Sequence, residues 1–182
     1  MLSNIRVLIE KIYEINTKNG FHKQRRTWST VMNLIHSEIS ECVEAVRDSE
    51  HKITEIWYQA SGKPDGLPIE LADVSIRCLD TAKEYGREEE LIENYIRLAP
   101  ILPKHSSILS NVNDRPDDYM DALYEMHRSI DDIDVPEQLR FLGDTVIVVE
   151  MACAKLGHKL EDLIEIKLAY NTMRGYLHGK LL

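Results

Sequence analysis

Apolar residues along this chain recur mostly at spacings of three and four, and that period of about 3.6 predicts helices almost throughout. A first helix is expected over about 2–18, where MLSNIRVLIEKIYEI alternates apolar positions with Arg6, Glu10 and Lys11, ending before Asn19-Gly20. After the basic link HKQRR, a second starts near Thr27 or Ser29 and reaches toward Ala60, with Asp48-Ser49-Glu50 as the place where it would break. The run Ser61-Gly62-Lys63-Pro64-Asp65-Gly66 is turn chemistry, and Pro68 suits the start of a third helix over 68 to about 85. So short a link makes the second and third helices antiparallel neighbours.

Arg87 to Leu98 reads as a fourth, short helix stopped by Pro100 and Pro103, and the stretch from Lys104 to Pro116 as a polar loop. Tyr119 to about Asp131 repeats Leu123, Met126 and Ile130. In 137–156 the run VIVVE has the β-branched density of a strand, but the Leu139, Leu142, Val146, Val149, Cys153 spacing favours helix. The last helix follows Gly157 to about Met173. The expected fold is all-α, in one domain of 182 residues.

The second helix contains a contradiction. Val31, Leu34, Ile35, Ile39, Cys42, Val43 and Val46 form one apolar arc; Glu38 falls inside it and Glu41 at its edge. A carboxylate facing a core is costly unless it is paired, protonated or bound to a metal. The third helix repeats the i, i+3 arrangement with Glu70 and Asp73, on the narrow polar stripe Glu70, Asp73, Arg77, Asp80, Glu84 of an otherwise apolar wheel. An isolated E-x-x-E is usually a solvated helix face, but two such pairs on neighbouring antiparallel helices can converge four carboxylates on one spot. Oxygen-only ligands suit Mg²⁺ first and Mn²⁺ or Ca²⁺ next. On the last helix Lys167, Asn171 and Arg174 share the face of Leu160, Leu163 and Ile164, so cations and an amide are placed where burial is expected. Beside a metal site, they suit phosphate.

Charge and cysteine content narrow the context. A formal net charge of −9 argues against nucleic acid or an anionic membrane as partner, both of which need a basic footprint. No apolar run approaches the length of a bilayer span. Cys42, Cys78 and Cys153, odd in number and set among apolar neighbours, read as reduced core residues of a cytoplasmic protein.

The order E-x-x-E (Glu38, Glu41), then E-x-x-D (Glu70, Asp73) within LPIELADVSIRCLD, then K-x-x-Y-N-x-x-R-x-Y-x-H-G-K from Lys167 to Lys180, resembles the MazG-like all-α nucleoside triphosphate pyrophosphohydrolases, over roughly 20–85 and 139–180. The resemblance implies a four-helix core, Mg²⁺ (with Mn²⁺ as substitute) held by Glu38, Glu41, Glu70 and Asp73, and hydrolysis of a nucleoside triphosphate to the monophosphate and pyrophosphate. It further implies Glu38 or Glu41 as the base, Lys167, Asn171 and Arg174 as substrate contacts, and a homo-oligomer, dimer or tetramer. The segment 86–138 exceeds what the shortest members carry there; it would complete the bundle, cover the site or form an oligomer surface.

Trp28 is a candidate for stacking on a base, against the plainer reading of an aromatic staple at a helix start; His22 shares that candidacy. Lys63 reads as a turn lysine within reach of phosphate, Glu150 as a partner for Lys167 or Arg174, and His36 as a residue hydrogen-bonded beside the core. Two other classes share these features: a non-catalytic helical interaction module of the same fold, and a di-iron bundle. The second needs E-x-x-H on two helices, and the sequence has none.

Overall fold

The computed structural model describes residues 2–48, 50–101, 116–131 and 135–175. Among them are seven helices: α1 (Ile5–Lys18), α2 (Trp28–Arg47), α3 (Leu67–Glu84), α4 (Glu88–Leu98), α5 (Pro116–Asp131), α6 (Val135–Lys155) and α7 (Leu160–Thr172). The expected loop over 104–116 lies almost wholly outside the described residues. So do the tail from Tyr176 and the side chains of Ile130 and Leu139.

α3 is the axis of the fold. Fourteen of its residues are buried, from Leu67 to Ala82, and α1, α2, α6 and α7 all pack on it. The surrounding helices are amphipathic: α1 buries Ile5, Leu8, Ile9 and Ile12, and α2 buries Val31, Met32, Ile35, Ile39, Cys42 and Val46. VIVVE is helical, with Val146, Ile147 and Val149 buried on α6. Length and period outweigh β-propensity here because a helix interior accepts β-branched side chains when they are packed.

The helix ends follow local chemistry. Asn4 and Thr27 cap α1 and α2, their side chains accepting from the backbone N–H of Val7 and Thr30. Gly20, at φ +94°, follows the end of α1. α2 stops at Arg47 and does not continue toward Ala60. Asp48 leaves the helical region at ψ 123°, and its carboxylate accepts from Glu50 N at 2.7 Å and bonds His51 at 2.8 Å, so a local side-chain turn replaces the next helical turn. The chain returns as a two-stranded antiparallel hairpin, β1 (Trp57–Tyr58) with β2 (Pro64–Asp65).

Gly66 joins β2 to α3 at φ +107°, and a Cβ there would lie 2.4 Å from the backbone oxygen of Glu55. Gly66→Ala is therefore expected to cost roughly 1–3 kcal/mol, a larger loss than Gly62→Ala at φ +80° in open space, as compared by urea denaturation.

The segment 86–138 adds α4, which packs on α6, and α5, which packs on α2. In its described part it extends the bundle and lines no part of the main cleft. His36 on α2 meets His127 on α5, Nδ1 to Nδ1 at 2.7 Å with the rings parallel, so it is hydrogen-bonded beside the core through Nδ1.

Candidate metal and anion cleft

The antiparallel pairing of α2 and α3 brings Glu38, Glu41 and Glu70 together, one oxygen of each lying within 4.8 Å of the others. Glu70 sits in the first turn of α3, its side chain 3% exposed, and its Oε2 is buried with no hydrogen-bond partner. Burial pushes its carboxyl up to about 8; the Asp73 and Glu41 charges add to the rise, and Lys167 and Lys63 oppose it. A buried acceptor with an open lone pair, in a group of three carboxylates, is the donor set a hard divalent cation uses.

The fourth predicted ligand is placed differently. Asp73 lines the same cleft, but its Oδ2 is taken by Lys167 Nζ in a buried ion pair. Burial raises the Asp73 carboxyl to about 6, with Lys167 pulling it down and Glu38 pushing it up. Lys167, 3% exposed, keeps its proton although burial opposes the charge, because the Asp73 and Glu70 carboxylates favour it.

The cleft has a volume of about 330 Å³. Glu38, Glu41, Asp73 and Arg77 form its α2–α3 wall, and Lys167, Asn171 and Arg174 at the end of α7 form another. Arg77 Nε donates to Glu38 Oε1 at 2.8 Å, and Lys63 Nζ, from the hairpin, approaches Glu70 Oε1 at 3.5 Å. Glu41 alone of the four carboxylates forms no ion pair with a described residue. Asn171 Oδ1 is buried without a partner. Lys167, Asn171, Arg174 and Lys63 thus line the same cleft as Glu38, Glu41 and Asp73.

Trp28 is not in the cleft; it packs edge-on to Tyr85, ring centroids 5.1 Å apart, as a helix-start aromatic would. His22 stacks on Tyr13 and bonds Asp80, so neither residue offers a face to a base in the cleft. Glu150 accepts from Tyr95 Oη at 2.6 Å, a partner in place of the expected Lys167 or Arg174.

Four lining residues, Asn16, Phe21, Ile76 and Arg77, are not among the candidates read from the sequence, where Arg77 figures only in the polar stripe of the third helix. Asn16 carried a signal: it lies four residues after Ile12 on the buried face of α1 and is itself buried, the same kind of exception as Glu38. Phe21, in the link after Gly20, carried none.

All three cysteines are free and buried. Among the described residues no helix is long and apolar enough to cross a membrane. No family model matches the chain, and neither does any curated protein or solved structure.

Proposed function

We propose that the chain is a divalent-metal-dependent hydrolase that cleaves a nucleoside triphosphate to the monophosphate and pyrophosphate, as the likeness of its motifs to MazG-like enzymes implies. The observation that carries this reading is that Glu38 and Glu41 line one cleft with the cations Lys167, Arg77 and Arg174 and, behind that wall, group with Glu70, which has an unpartnered buried oxygen. Carboxylates alone would repel a polyphosphate, and cations alone would need no such acidic group.

Glu38, Glu41 and Glu70 fit Mg²⁺ or Mn²⁺, with Asp73 available from the same helix. When bound, the ion would offset phosphate charge and make water more acidic. The chain's own residues do the rest. Lys167, Arg77 and Arg174 stabilise negative charge on the phosphates. Asn171 presents a buried amide oxygen to a donor on the nucleotide. Glu41, free of an ion pair, takes the proton from the attacking water.

One observation favours a second reading, a non-catalytic helical module: Arg77, Lys63 and Lys167 already compensate Glu38, Glu70 and Asp73 without any metal. A panel of ribo- and deoxyribonucleoside triphosphates with Mg²⁺ or Mn²⁺ separates the two. Pyrophosphate and monophosphate from at least one nucleotide, lost in Glu41→Gln, is the expected outcome. A folded protein that turns over none of them with either ion leaves the non-catalytic module.

A further inference from the structure

The polar stripe of α3 continues past the cleft to Asp80 and Glu84, and the basic link between α1 and α2 is what meets it. His22 Nε2 lies 2.9 Å from Asp80 Oδ1, and His22 Nδ1 lies 3.8 Å from Glu84 Oε2. Arg26 donates to Asp80 Oδ2 at 3.1 Å and to Glu84 Oε2 from both Nε at 3.0 Å and a terminal nitrogen at 2.5 Å. Its backbone N–H reaches the other Glu84 oxygen at 3.1 Å. All four side chains are buried, at 4%, 1%, 8% and 4% exposure for His22, Asp80, Arg26 and Glu84.

His22, Asp80 and Glu84 have the donor types of a metal site, but the charges speak against one. With His22 protonated, two cations balance two carboxylates; a divalent ion beside Arg26 would leave the buried group positive. Phe21, next to the anchor His22 in the same link, lines the cleft wall, and Asn16 lines it from the last turn of α1.

We propose that His22, Arg26, Asp80 and Glu84 form a positioning clamp that fixes the α1–α2 link on α3 and thereby holds the Phe21 and Asn16 side of the cleft in place for ligand. The clamp does not touch the ligand. Its titrating member is His22, faced by Asp80 and Glu84 from α3, by Arg26 from the link and by the Tyr13 ring from α1. Burial works against the imidazolium, yet the hydrogen bond to Asp80 and the nearby charges of Asp80 and Glu84 outweigh it and carry His22 up to about 9. The His22 contact with the two carboxylates is therefore charged at neutral pH and weakens as pH rises through about 9, while Arg26 keeps its bonds to Asp80 and Glu84.

The functional part of this inference rests on the nucleotide-hydrolase reading; the structural part does not, and the test keeps them apart. In a Trp57→Phe background Trp28, which begins α2 directly after the link, is the one remaining tryptophan and reports on it. Its emission is expected to change with a midpoint near pH 9, and His22→Gln is expected to remove that transition. Hydrogen exchange at pH 7.5 supplies the second arm. His22→Gln should raise exchange at least tenfold in residues 16–27 while α6 keeps its protection. No pH transition, an unchanged transition in His22→Gln, or exchange rising equally across α3 and α6 overturns the clamp. Where a nucleotide is turned over, His22→Gln should raise KM several-fold with kcat within about twofold; a fall in kcat alone overturns the positioning role. If no nucleotide is turned over, the hydrolase reading fails while emission and exchange still decide the clamp.

Discussion

Glu70→Gln is expected to make the metal-free protein more stable while abolishing its activity. The Glu70 carboxyl titrates near 8 in the folded chain, against 4.5 as its ordinary value, because it is buried. A raised carboxyl means that the folded state favours the proton, so the stability Glu70 contributes is fully present below about pH 4.5 and is lost as pH rises toward 8. Glutamine is neutral at every pH and escapes that loss. The advantage of the variant should be near zero at pH 4.5, grow through the interval and level off above 8, at up to about 5 kcal/mol. For a chain of this size that is up to roughly 10–20 °C in melting temperature. Calorimetry at pH 4.5 and pH 8 in a chelator checks it. With Mg²⁺ present, turnover should fall by at least about 100-fold. A residue kept for stability alone would show the opposite pattern.

Lys167→Met is expected to have the largest effect on folding. It leaves Asp73, 14% exposed, without its cation, and breaking one side of a buried pair costs about 3–5 kcal/mol. Adding Asp73→Asn should recover most of that loss, since both charges are then gone and methionine fills the volume of the lysine stem. Activity should return in neither variant, because phosphate compensation is still missing. Urea denaturation of the two single variants and the double variant measures the coupling. A double variant no more stable than Lys167→Met would mean that Lys167 acts through packing and not through Asp73.

The elements that a period of 3.6 defines were legible before any coordinates. α1, α3 and α7 lie within a few residues of their expected ranges, and α2 and α3 are neighbours, but the link between them runs over 48–66 and holds the β1–β2 hairpin in place of a single short turn. The end of α2 was harder to read, because Asp48 could stay helical or bond its own backbone, and the contacts that settle this involve Glu50 and His51. At the cleft, Glu38, Glu41 and Glu70 announced themselves as charge in an apolar arc or an i, i+3 pair. The pairing was not visible: spacing places Asp73 beside Glu70, but only the approach of α7 to α3 gives it to Lys167. The same limit hid the meeting of HKQRR with Asp80 and Glu84. Both halves were visible as charged patterns, 54–62 residues apart, with nothing local to join them.

Two acidic groups among the described residues, Glu38–Glu41–Glu70 and His22–Asp80–Glu84, give the central claim its most direct test, because only the first should take up a metal. Mn²⁺ binding followed by electron paramagnetic resonance should show uptake that strengthens with pH toward 8, since the ion competes with the proton on Glu70. That uptake should be lost in Glu70→Gln and retained in Glu84→Gln. No uptake, or uptake lost in Glu84→Gln and retained in Glu70→Gln, would contradict a metal site built by Glu38, Glu41 and Glu70.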